Sequence, residues 1–215
     1  MEVIPTEKIK AIEKLSDGAF TLMDATLAFA TTNDILLVEG TNDHKYFTRA
    51  LDVLKVSKAP KYDNFNITII NCGGAGNVAA VLEQAVVPHI NPQQLCIATF
   101  DNDEAGKNGM KSVKNVFAGH PPRNVKTMLH PKIGTWAAAN DFLTEDYFPI
   151  TSYKPAFEAK VVTATTFKSL SSLQNPKGII ESTYETFAPA DYDNFELLFD
   201  EIIRLQTEFR LPLPV

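Results

Sequence analysis

The sequence predicts an α/β fold. It should be a Rossmann-like parallel sheet of about four strands flanked by helices, preceded by N-terminal helices and followed by a C-terminal helical extension. Three observations predict this. Short apolar runs alternate with segments of helical spacing across residues 33–150. The runs are continuously apolar, as strands buried on both faces are. Each of the first three runs ends in a Gly-rich or acidic turn that opens directly into a helix, which is the rhythm of βαβ units.

In chain order, Ile9, Ile12 and Leu15 lie at helical spacing after Thr6, a residue suited to capping, and Asp17-Gly18 is a stop signal. The stretch 20–30 is apolar and helix-like. Residues 35–38 (ILLV) form the first strand; after Glu39-Gly40-Thr41-Asn42-Asp43, Tyr46, Phe47, Leu51 and Leu54 mark a helix face. The unit recurs as strand 67–70, turn Gly73-Gly74-Ala75-Gly76, and helix face Val78, Val81, Leu82, Ala85. It recurs again as strand 95–100, turn Asp101-Asn102-Asp103 and helix 105–117, and a fourth strand follows at 125–129. Three regions result: an N-terminal helical segment 1–32, the α/β domain 33–150 and a mostly helical extension 151–215. Within the extension, 153–172 is mixed, 175–187 is helix-like and 191–209 has a wide apolar face.

The chain has 215 residues, 45% of them apolar, enough for one sizeable core. Its formal net charge is -6, so bulk charge lends nucleic-acid binding no support, and a functional reading has to come from a site. Cys72 and Cys96 sit in apolar runs and read as small buried hydrophobes in a reducing compartment. The N-terminus has no apolar signal-peptide core, and no run reaches the roughly 18 apolar residues of a membrane helix. A soluble, cytoplasmic protein without a membrane partner is the expectation.

Chemistry concentrates at the predicted strand ends, where ligands bind in open parallel sheets. Glu39 ends the first strand and Asp43 follows one turn later; Asp101 and Asp103 end the third. Hard divalent cations such as Mg²⁺ or Mn²⁺ take oxygen ligands of this kind. Carboxylates brought together without a cation repel one another, so they bind metal, share a proton, or point apart. Asp is also a common turn former after a strand, and Asp43 is well placed for the dipole at a helix N-terminus. Gly73 and Gly74 read as turn glycines. Of the four histidines, His44 is the one beside the site turn. Trp136 reads as core. Lys107, Lys111, Lys114 and Arg123, on or after the third predicted helix, read as a solvated face or as contacts to a nucleic-acid backbone.

The order LLVEGTNDHKYF, NCGGAGN, FDNDEAGKNG on successive βα units resembles a Toprim domain. EGTND and the later DFLTEDYF resemble the Toprim nucleases of the OLD (overcoming lysogenization defect) family. The resemblance covers about residues 33–150. It implies metal-dependent cleavage of DNA or RNA with one or two Mg²⁺ or Mn²⁺ ions. It matches Glu39 to the Toprim glutamate, a metal ligand or acid/base residue, and Asp101 and Asp103 to the D-x-D metal pair. It matches Asp43 to the second acid of the OLD-like turn and Glu145 to a further acid that serves a second metal. Lys177 is the candidate for the basic residue that these nucleases place near the site. OLD proteins usually carry an ATPase domain, and this chain has no Walker motif, so the resemblance implies either a stand-alone Toprim protein or one that works with a separate ATPase or other partner protein. A homo-oligomer stays open. So do two alternatives to a nuclease: primase-like nucleotidyl transfer, which FDNDEAG favours, and a non-catalytic module for nucleic-acid binding or assembly.

Overall fold

The computed structural model describes residues 6–15, 18–19, 21, 28–134, 136–138, 140–153 and 176–212. Residues 20 and 22–27 of the helix-like stretch 20–30, and residues 154–172 of the mixed segment 153–172, lie outside them. The fold is α/β, a four-stranded all-parallel sheet flanked by helices, as the alternation of apolar runs predicts. The order of elements is α1 (Thr6–Leu15), β1 (Asp34–Val38), α2 (Thr41–Ser57), β2 (Ile67–Asn71), α3 (Ala75–Val81), β3 (Cys96–Phe100), α4 (Glu104–Val116) and β4 (Val125–Leu129). A π-helical turn, Leu82–Val86, prolongs α3. A 3-10 turn, Thr144–Tyr147, then leads to α5 (Ile150–Tyr153), α6 (Pro176–Thr183) and α7 (Glu196–Arg210). After α1, Gly18 takes φ 78° and its N–H donates to Glu13 O at 2.6 Å, the positive-φ stop that glycine allows.

The strand order is β2-β1-β3-β4. The chain leaves β1 in one direction and returns past it to β3, so the order reverses between β1 and β3. Right-handed crossovers then place α2 on one face and α3 with α4 on the other. The two cores obey this. Leu36, Val38 and Ile97 pack with Tyr46, Phe47 and Leu54 of α2, whereas Ile35, Leu37, Cys96, Ala98 and Phe100 pack with Val78, Val81 and Val113. Strand residues alternate between the two cores, and for that reason the runs are apolar throughout.

The extension shares the α2 core. Tyr192, Phe195, Leu198, Phe199 and Ile202 are buried in it. The buried Asp34 at the start of β1 anchors α7: its carboxylate accepts from Gln206 Nε2 and Arg210 Nη2, both at 2.7 Å, and from Leu95 N at 2.9 Å. The helical signal at 191–209 is split. A 3-10 stretch (Pro189–Phe195) precedes α7, with Pro189 at its start and the Asp191 carboxylate accepting from Ala188 N. The signal at 175–187 likewise ends as α-helix at Thr183 and continues as a 3-10 turn, Tyr184–Thr186. Among the described residues no helix is long and apolar enough to cross a membrane.

Candidate active site

The sheet's register builds the site. Leu37 pairs with Ala98 and Phe100 with Leu129. One residue beyond the second pair, Asp101, directly after β3, therefore stands beside His130, directly after β4, and Glu39 follows β1 at the same edge. This is the reversal point of the sheet, where the diverging crossovers leave a crevice. The Asp101 N–H donates to Glu39 Oε1 at 3.0 Å, linking the two strand ends.

A fourth chain segment reaches the crevice through a short antiparallel bridge. Asn102 N donates to Phe142 O at 2.8 Å, and Phe142 N donates to Asn102 O at 3.1 Å. The bridge presents Thr144 and Glu145 to the carboxylates. Thr144 N donates to Asp101 Oδ1 at 2.9 Å; its hydroxyl lies 2.6 Å from Asp43 Oδ1 and 3.2 Å from Asp101 Oδ1. One hydroxyl has one proton to give. Both contacts are satisfied at once when Asp43 is protonated and donates to Thr144 Oγ1, which then donates to Asp101. Asp43 Oδ2 also accepts from Gly40 N at 2.9 Å, so this residue closes the first turn of α2 and faces the site together.

The charges respond to this crowding. Burial, then the charges of Asp101 and Asp43, push Glu39 up to about 7. Burial and Asp101 raise Asp43. Burial also works to raise Asp101, but His130 and the Thr144 N–H and hydroxyl outweigh it and hold its carboxyl below the ordinary value. His130 is 2% exposed, and its Nδ1 lies 3.2 Å from Asp101 Oδ1. That contact is an attraction of charges rather than an aligned hydrogen bond, since Nδ1 has no acceptor in line and Oδ1 already takes Thr144. Burial lowers the His130 pKa, and Asp101 more than reverses this. Glu145 is pushed up to about 7 by burial, against the pull of Lys177. Lys177, at the start of α6, brings Nζ to 3.6 Å from Glu145 Oε1 while staying 57% exposed.

Of the residues expected from sequence, Glu39, Asp43, Asp101 and Glu145 are brought together with Lys177 beside them. Asp103 turns another way. Its Oδ1 accepts from Gly106 N at 2.8 Å as the N-cap of α4, so one of its oxygens serves the helix. Asp146 likewise closes its own turn through Leu143 N. His44 makes no hydrogen bond or ion pair with Glu39, Asp43 or Asp101 among the described residues; the histidine at the site is His130. The signal for it was available, because His130 directly follows the fourth strand. Thr144 had no such signal, since a threonine beside an acid is ordinary. Gly73 (φ 74°) and Gly74 (φ 133°) are turn glycines, and their amides are occupied by Asn71 Oδ1 and Glu39 O. Trp136 packs edge-on against Phe142 and donates Nε1–H to Asp141 O. Arg123 donates to Phe209 O and Leu211 O and lies over the Phe209 ring, so it ties down the end of α7.

Hard oxygen donors brought this close suit a divalent cation. Glu39 Oε2 and Asp101 Oδ2 accept no hydrogen bond from the described residues and are available as ligands. Among the described residues, no three His, Cys, Asp or Glu side chains are already grouped around one point. His130 and Lys177 lie against these carboxylates and offset part of their charge. No family model, curated protein or solved structure matches this chain. The functional reading accordingly rests on the site.

Two expected results test this description. Asp103→Ser should keep the cap and most of the stability, whereas Asp103→Ala should lose about 1 kcal/mol in chemical denaturation. Equal loss in both variants would mean that the cap is not what Asp103 contributes. The second concerns pH. Glu39 and Glu145 hold protons up to about pH 7 in the folded protein but release them near 4.5 when unfolded, and His130 holds its proton beyond 6.5. The folded state binds more protons over this window, so stability falls as pH rises through it. Asp101, lowered from 3.8, acts with the opposite sign and only in acid. The cation-free protein should melt lower at about pH 8 than at about pH 5.5, and millimolar Mg²⁺ or Mn²⁺ should raise the melting temperature more at the higher pH. A melting temperature that holds steady or rises with pH would contradict the assignment of buried, protonated carboxyls.

Proposed function

We propose that this chain is a metal-dependent nuclease of the Toprim/OLD type that hydrolyses phosphodiester bonds in DNA or RNA. The observation that carries the reading is the convergence of Glu39, Asp43, Asp101 and Glu145 at the reversal point of a parallel sheet, with Lys177 beside them. The resemblance of EGTND, FDNDEAG and DFLTEDYF to Toprim and OLD nucleases supports it from the sequence side. One or two Mg²⁺ or Mn²⁺ ions, held by Glu39, Asp101, Asp43 and Glu145, would supply positive charge that polarises the phosphodiester and offsets charge developing in an in-line displacement.

The chain's own residues do the rest. Glu39, whose Oε1 accepts from the Asp101 N–H, stands at the strand end where a metal ligand or an acid/base group for the attacking water is needed. Thr144 fixes the relative positions of Asp43 and Asp101, and His130 keeps Asp101 ionised. Lys177 has an exposed ammonium beside Glu145 and can neutralise a phosphate oxygen.

The test is a survey of single- and double-stranded DNA and RNA with Mg²⁺ and Mn²⁺, alongside calorimetric Mn²⁺ titration. The expected result is cleavage that is lost in Asp101→Ala plus Asp103→Ala and strongly reduced in Glu145→Gln and Lys177→Met. Cleavage surviving the double substitution would sink the site assignment. The competing reading, a non-catalytic binding or assembly module, draws on the net charge of -6 and on the use of Asp103 as a cap. Nucleic-acid binding without Mn²⁺ binding near millimolar concentration would favour it.

A further inference from the structure

We infer that α4 carries a docking track for a nucleic-acid backbone, formed by Lys107, Lys111 and Lys114, which leads away from the carboxylate site; this rests on the nuclease reading of that site. The three lysines are exposed and spaced i, i+4, i+7. At 3.6 residues per turn they fall within about 60° of one another around the helix and span about 10 Å along it. That span matches about three nucleotide steps of a B-form strand. The opposite side of α4 is spoken for. Gly106 lies against the Asp101 backbone, and Gly109 against Phe100 and the Ala75 carbonyl of α3. The lysines therefore occupy the flank turned away from α3. Lys107 is one turn from Asp103, so the track starts where the site's own turn ends.

What distinguishes this row is the state of the other cations. Lys45, Lys58, Lys61, Lys126, Arg204 and Arg210 each lie within ion-pair distance of a carboxylate. Arg123 and Lys132 are bonded to backbone carbonyls. Lys107, Lys111 and Lys114 have no acidic partner among the described residues, and the only acid on α4 is Glu104 at its first turn. In a chain of net charge -6, three unneutralised lysines on one helix flank form a local positive stripe that bulk charge conceals. A phosphodiester chain is the partner that fits, since it presents negative charge at regular intervals and its binding is driven by counterion release. Lys10, Lys14 and Lys55 likewise lack a carboxylate among the described residues, but they lie on α1 and α2 and serve as a control.

The experiment is fluorescence anisotropy with labelled single-stranded DNA, duplex DNA and RNA in EDTA, so that binding is read without cleavage. The charge reversal K107E/K111E/K114E is expected to weaken binding about tenfold or more at low salt and to reduce the slope of log Kd against log salt by about 2–3. Lys→Gln at the same three positions should give a smaller loss in the same direction and guards against a folding defect, which thermal melting checks. Lys10→Glu, Lys14→Glu and Lys55→Glu together impose the same charge change and should leave binding near the wild-type value. Wild-type affinity in both stripe variants, an equal loss in the control, or no binding by the wild-type protein overturns the track. The two readings fail separately. If binding depends on the stripe but nothing is cleaved, the nuclease reading falls and the track stands. If cleavage needs Asp101 but the stripe variants bind normally, the track alone falls.

Discussion

Asp101→Asn is expected to abolish cation-dependent cleavage, by on the order of 10²–10³-fold or more, while the protein stays folded. Asp101 is the hub of the site. Its N–H holds Glu39, its Oδ1 takes Thr144 N and faces His130, and its charge acts on Glu39, Asp43 and Glu145. Asparagine has nearly the same shape and can still accept from Thr144 N, so the bridge to residues 142–145 should survive. The charge is what disappears. Glu39 then loses a repelling neighbour and its pKa should fall from about 7; His130 loses the anion that holds its pKa up, and that pKa should fall too. NMR titration of the histidine ring in the cation-free protein reads this without any assay of activity. An unchanged His130 titration, or cleavage within a few-fold of wild type, would remove Asp101 from the centre of the mechanism.

Gly106→Ala should be more damaging to the fold than its size suggests. A Cβ at this position would lie 2.0 Å from Asp101 O and 2.9 Å from its carbonyl carbon, both backbone atoms that have no rotamer to move away. Helix α4 would have to slide off the end of β3 and carry with it the Asp103 cap, whose acceptor is bonded to Gly106 N. Overpacking of this kind costs about 1–3 kcal/mol, and the lost cap adds about 1. At about 2–4 °C per kcal/mol for a chain of this length, the melting temperature should fall by on the order of 10 °C. Gly76→Ala is the matched control: its Cβ meets nothing within 4 Å, and loss of glycine's freedom in the unfolded chain should leave stability unchanged or slightly higher. The two variants melting alike would mean that α4 does not bear on Asp101 as described.

Much of this arrangement was legible in the sequence. Four strands and the helices between them fall within a residue or two of where the apolar runs and turns placed them; the central strands β1 and β3 are buried along their whole length and so read as nearly continuous apolar runs, while the half-buried edge strands β2 and β4 tolerate Thr68, Lys126 and Thr127. The helices of the extension were less legible. Residues 191–195 are spaced like a helix, but Pro189 and the Asp191 cap favour a 3-10 turn, a difference that periodicity alone does not register.

By itself the sequence determined the α/β class, the strand ends, and the presence of acids at those ends, since all three follow from residues close together in the chain. Only the tertiary structure decided which ends are neighbours. The order β2-β1-β3-β4 and its register set Glu39 and His130 on either side of Asp101, although 62 and 29 residues of chain separate them from it. The Phe142 bridge brings in Thr144 and Glu145, and α6 brings Lys177 to Glu145. The fate of Asp103 was also decided there. With the N–H of Gly106 2.8 Å away, its carboxylate turns to the nearest unpaired donor of its own helix, and it alone of the four acids singled out at the strand ends is left out of the cluster.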